Sequence, residues 1–201
     1  MKKTIIFILL SAALVLTVSA CTTNNSITEE PLLDSRIGNL LNFGGIDWRI
    51  LDVQNGEALI ISEDILFVLP YHSQRSEITW EYSDLRAFLN GEFYEVTFSA
   101  EERERIIETT NDSSRLYTSG KHITTDKIFL LSLHELDYYL IDRKGVPLSN
   151  FNWWWLRSPG ASSGVAIICG FDDRGMFFTS SVFVDEARGV RPVLWLKLEI
   201  I

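Results

Sequence analysis

Residues 152–160 read NWWWLRSPG and gather three of the chain's six tryptophans immediately before an arginine. That combination suits binding rather than proton transfer. Indole faces stack on sugar rings, bases or partner side chains, and a guanidinium pairs with carboxylates or lies over an aromatic ring. In an extended strand Trp153, Trp155 and Arg157 project to one side and Trp154 and Leu156 to the other. One set fills a core. The other either forms an aromatic platform ending in a charge, or is covered by loops and helices with Arg157 held in an ion pair. Arg191 in GVRPV and Arg86 in SDLRAFLN pose the same choice, with Asp47, Glu81 and Asp126 as candidate carboxylates. Trp80, just ahead of a helical stretch, is a further candidate for lining a pocket, whereas Asn90 before Gly91 reads as a helix stop. The candidate ligand-binding set is therefore Trp153, Trp155, Arg157, Trp80 and Arg191, assisted by the loops around residues 161–163 and 171–174.

Residues that would carry catalysis are scattered. His72, His122 and His134 stand apart, and His134-Glu135 lacks the second histidine of a zinc helix. No Gly-x-Ser-x-Gly elbow occurs, and SPGASSG is glycine-rich but precedes a strand rather than a phosphate-binding helix. No metal site and no cofactor is expected. Asp172-Asp173 and Glu101-Glu102 fall in a turn and at a helix start, where solvation or the helix dipole accounts for them. A hydrolase or transferase drawing two acids from separate loops stays open as an alternative, as does a purely structural surface subunit. The net charge of −9 at pH 7 argues against nucleic acid, which needs a basic surface to displace counterions.

The elements that must position these residues follow from pattern. Ile46, Trp48 and Ile50 alternate with polar residues, then Asn55-Gly56 precedes ALIIS, which predicts a hairpin with a tight turn. Ser83 can cap a helix bearing Leu85, Phe88 and Leu89 on one face. Ser99 with Glu102, and Ser132 with Glu135, are capping boxes for two more short helices, and KIFLL reads as a strand between them. Strands are then expected near 153–157, 165–169, 176–184 and 190–196, separated by turn-formers. A hairpin, then helices, then antiparallel strands makes the fold class α+β.

Five phrases in order, GGIDWRILDV, TWEYSDLRAFLNGEFY, DKIFLLSLHE, WWLRSPG and GVRPVLWL, resemble the bacterial family 6273 of domains of unknown function. More distantly, the tryptophan-rich strand ending in Arg-Ser and the closing Gly-Val-Arg-Pro-Val are similar to the end of C-type-lectin-like domains, whose relatives include the formylglycine-generating enzymes. That resemblance implies antiparallel sheets, short helices and paired terminal strands, here WRILDV with GVRPVLWL. The calcium-binding triplets of the lectins, Glu-Pro-Asn, Gln-Pro-Asp and Trp-Asn-Asp, are absent. The formylglycine-generating enzymes work with a pair of active-site cysteines, and a chain lipidated at Cys21 would keep only Cys169.

The opening MKKTIIFILLSAALVLTVSAC has the charged start, apolar run and small-residue end of an export signal. Val18-Ser19-Ala20-Cys21 resembles the lipobox of bacterial lipoproteins, in which the chain is cut before the cysteine and that cysteine is acylated. The expected organisation is a signal peptide over 1–20, lipidation at Cys21, a polar tether over 21–41 and one α+β domain over 42–201. Lipid on Cys21 would hold the chain to the bacterial cell membrane on its extracytoplasmic side, as a binding module for a glycan, a peptide or a surface protein. Only Cys169 would then remain, which excludes an internal disulfide and any chemistry needing two thiols.

Overall fold

The computed structural model describes residues 35–112, 123–142, 152–171 and 177–198. The leader, Cys21 and most of the expected tether lie outside the described residues. Strand β1 (Leu40–Phe43) starts two residues inside the stretch expected to be tether, because Gly38 and Asn39 are already bonded to Ile50. Among the described residues no helix is long and apolar enough to cross a membrane.

The expected hairpin forms from β2 (Ile46–Gln54) and β3 (Glu57–Ser62). Asn55 and Gly56 take φ of 51° and 82°, the left-handed pair that a two-residue turn requires. A bulge between Ile50 and Asp52 lets Ile50, Leu51 and Asp52 all be buried in succession. β1 occupies the outer edge of β2.

The last strand, β12 (Val193–Lys197), pairs with β3 and with the two-residue β5 (Ile106–Ile107), giving a sheet ordered β1-β2-β3-β12-β5. The expected direct pairing of WRILDV with GVRPVLWL is thus corrected. Both edges of β2 are taken, so the closing strand joins the same sheet one position further on.

A second sheet is ordered β10-β9-β8-β11-β4, with β4 (Phe67–Pro70), β8 (Trp154–Pro159), β9 (Val165–Phe171), β10 (Phe177–Phe183) and β11 (Ala187–Val190). Its pairings are antiparallel except where β11 meets β8. The single strand expected over 190–196 is two, since Pro192 offers no N–H to a ladder and restricts Arg191. At Arg191-Pro192 the chain steps from the second sheet into the first. A small ribbon of β6 (Thr109–Asp112) and β7 (Ile123–Asp126) completes the strands. KIFLL is no strand: its residues Ile128–Leu131 are buried, but only Phe129 bridges, to Val193.

Ser83 caps α1 (Asp84–Phe88) through the Arg86 N–H. The stop expected at Asn90-Gly91 does not occur. Gly91 stays out of the left-handed region, and the helix passes through a π-helical turn, Leu89–Phe93, into α2 (Tyr94–Thr97). Asn90 instead turns its amide toward residues 127 and 128, donating to Arg86 O and Ile128 O and accepting from the N–H groups of Lys127 and Ile128. Both capping boxes form, ahead of α3 (Ala100–Arg105) and α4 (Leu133–Leu136). Glu102 also accepts from Gly44 N at the β1–β2 turn; the Ser99 N–H is the main cause of a carboxyl held below its ordinary range. Between the two sheets run ring contacts from Phe43 through Phe98 and Phe93 to Phe67, at 5.1, 5.9 and 5.3 Å.

Candidate functional site

The tryptophan strand is sealed on both faces. Trp154, Trp155, Leu156 and Arg157 are each at most 2% exposed, whereas Trp153, one residue before β8 begins, is 37% exposed. The expected platform of Trp153, Trp155 and Arg157 on one open face is therefore corrected. The shift in pairing with β9 comes only after Trp155, between it and Pro159, so it bears on Arg157; Trp155 keeps regular register opposite Ile168 and is buried because the Leu69 carbonyl and the Tyr71 ring cover it.

Trp155 donates its indole N–H to Leu69 O at 2.9 Å and packs 5.5 Å from the Tyr71 ring. Tyr71 in turn donates to Arg157 O, and burial pushes its phenol well above the ordinary range. Arg157 grips both oxygens of Glu135, the Nη2 bond being 2.7 Å, and donates to Leu130 O at 2.6 Å. A planar fork meeting a carboxylate and a carbonyl together explains arginine rather than lysine here. The covered reading, with Arg157 held in an ion pair, is the one the structure shows, and the acid is Glu135. Glu135 is the capping-box residue of α4, so one side chain both starts a helix and neutralises a buried cation.

Trp80 and Arg86 meet at Asp126. This carboxylate, 1% exposed, accepts from Trp80 Nε1 at 3.1 Å, Arg86 Nε at 2.5 Å, Asn111 Nδ2 at 3.0 Å and Thr124 Oγ1 at 2.6 Å. Trp80 is a buried anchor rather than a pocket wall, which corrects its candidacy.

Arg191 is likewise buried, at the step between sheets. It donates to Ser62 O from Nε and Nη2, at 3.1 and 2.8 Å, and to Glu63 O, and its guanidinium lies 5.2 Å from the Trp154 ring. Burial pulls its pKa down to about 10, against the pull of the Glu63 carboxylate, so it stays charged at neutral pH. It ties β3 to the step out of β11, and its one nitrogen without a hydrogen bond, Nη1, is buried away from any ligand. Cys169 is buried too, with its thiol pushed up by burial, as expected of an inert core cysteine. Among the described residues no three His, Cys, Asp or Glu side chains converge as metal ligands would.

Trp153 is the member of the expected set that faces outward. It lines an open cleft of about 490 Å³ over the second sheet with Ile65, Val68, Ile168, Ser180 and Arg188. Its position depends on glycine. A Cβ on Gly170 would meet the Trp153 ring at 3.1 Å, so the missing side chain is what lets the indole settle onto β9. Gly189 plays a similar part, since a Cβ there would come within 2.8 Å of Trp153 O, which accepts the Gly189 N–H. Arg188, bonded to Glu186, supplies charge at the rim, and Asn152 and Ser180 supply polar groups. The cleft thus pairs an aromatic ring with a few polar groups, the composition of a small-ligand site. Sequence reading missed Val68 and Arg188: DEARG looked like a turn, and only sheet pairing brings it beside Trp153. Ala161–Ser163 are exposed but do not line the cleft, and 172–174 lie outside the described residues.

No curated protein and no solved structure matches the chain. The sequence profile of one family, described as a domain of unknown function and numbered 6273, matches residues 55–198, from the turn of the first hairpin through the closing strand. With well over half its length matched, including Arg86, Arg157, Arg191 and the cleft beside Trp153, the chain belongs to family 6273 of domains of unknown function.

Proposed function

We propose that this chain is a non-catalytic binding module, held by lipid on Cys21 to the extracytoplasmic face of a bacterial membrane, and that it takes a glycan or peptide into the cleft beside Trp153. The carrying observation is that Trp153 alone of the tryptophan run faces outward, seated on Gly170 and bordered by Arg188, Asn152 and Ser180. An outward indole offers a stacking face for a sugar ring or an apolar side chain, and the polar rim supplies direction. The guanidinium groups of Arg157, Arg86 and Arg191, the alternative charged contacts for a ligand, are each bonded to internal acceptors, and those of Arg157 and Arg191 are buried. A C-type-lectin-like reading of the fold is supported by the two-sheet arrangement, in which the closing strand returns to the sheet of the first hairpin and the other sheet carries the cleft.

The test is a calorimetric titration of the protein with amino-sugar oligosaccharides and short peptides from a cell-wall digest. Binding by the native protein, weakened roughly tenfold in Trp153→Ala, is expected for the loss of one stacking ring. Binding equally strong in Trp153→Ala, or none by the native protein to either class, would overturn the reading.

A further inference from the structure

Strand β10 lies at one edge of the second sheet, and among the described residues no strand pairs with its outer side. Exposed edges invite another chain, and proteins ordinarily blunt them with shortness, charge or proline. The other edges are blunted: β1 and β4 have four residues, β4 ends in Pro70, and β5 has two. β10 runs for seven residues, FFTSSVF, with no charge and no proline. Phe178 to Ser181 are exposed in succession, where a strand packed on one face would alternate.

The order of side chains points to the occupant. Read in reverse, FFTSSVF becomes FVSSTFF, so the strand is close to symmetric about Ser180. Laid antiparallel against itself with Ser180 opposite Ser180, it sets Phe177 against Phe183, Phe178 against Val182 and Thr179 against Ser181. These are aromatic, aromatic–aliphatic and hydroxyl pairs, the favourable cross-strand types, and no like charges meet. We propose that β10 pairs in this register with β10 of a second copy of the chain, joining the two second sheets across a two-fold axis at Ser180. Such an interface is isologous and self-closing, so it ends at a dimer. An axis between antiparallel strands runs perpendicular to the sheet, and Ser180 also lines the cleft, so both clefts open on the same side. The pairing itself does not depend on what the cleft binds.

The register makes the test specific. Thr179 and Ser181 are exposed and project away from the Ser180 face, so both can be changed without touching the cleft. Thr179→Lys with Ser181→Lys would set lysine against lysine twice. Thr179→Lys with Ser181→Glu would set lysine against glutamate twice. Sedimentation equilibrium of the full chain in density-matched detergent is expected to show a dimer for the native protein. The double lysine variant is expected to dissociate at least ~10-fold more readily, and the lysine–glutamate variant to recover the dimer. A native protein that stays monomeric, a double lysine variant that associates as tightly as the native one, or a lysine–glutamate variant as weak as the double lysine one would each overturn the proposal.

Discussion

Asp126→Ala is expected to destabilise the protein by about 3–5 kcal/mol, the range for removing one partner of a buried, hydrogen-bonded ion pair. The substitution leaves the Arg86 guanidinium only the Glu81 and Thr125 carbonyls in place of its carboxylate, and takes the acceptor from three neutral donors, on Trp80, Asn111 and Thr124. Those donors come from different places: the turn before α1, the helix itself, and both strands of the β6–β7 ribbon. The loss should therefore spread beyond one contact. Asp126→Asn keeps the shape and part of the bonding, so its cost should be smaller. Urea denaturation monitored by circular dichroism measures both. A loss under about 1 kcal/mol for alanine would mean that water replaces the carboxylate and that the cluster is not sealed.

Trp155→Ala should cost a similar ~3–5 kcal/mol, because a fully buried indole leaves a cavity that its surroundings fill only in part. The Leu69 carbonyl also loses its donor, and the Tyr71 ring its neighbour. Trp153→Ala, two residues away, should stay within roughly 1 kcal/mol, since a partly exposed ring contributes less on burial. The contrast separates scaffold from surface within one short phrase. Equal losses at the two positions would contradict the division of roles assigned to them.

Local signals in the sequence carried well into the structure. Asn55-Gly56, Ser83 and the two Ser-x-x-Glu boxes act within a few residues of themselves, and each does in the fold what its chemistry predicts. The errors came where a residue's partner is distant in sequence. Asn90-Gly91 looked like a stop because nothing nearby shows that the Asn90 amide clamps Lys127 and Ile128. The sequence offers Arg157 an ion pair without naming the acid, because Glu135 already has a sufficient local role in its capping box. Alternation puts Trp155 and Arg157 on the side of Trp153, but whether they are open there depends on distant partners: Leu69 and Tyr71 cover Trp155, and Glu135 takes up Arg157. The cleft was hardest to foresee. Its walls come from β4, β9, β10 and β11 and from the segments before β4 and β8, and Gly170 and Gly189 matter through the side chains they lack.

If ligand touches the protein only in the cleft beside Trp153, while the buried indoles hold the fold, the six indole N–H signals of ¹⁵N-labelled protein should respond unequally to titration with cell-wall oligosaccharides and peptides. The Trp153 signal should move progressively with added ligand, and those of Trp48, Trp80, Trp154 and Trp155 should hold their positions. Movement of the Trp154 and Trp155 signals with Trp153 unchanged would contradict the account.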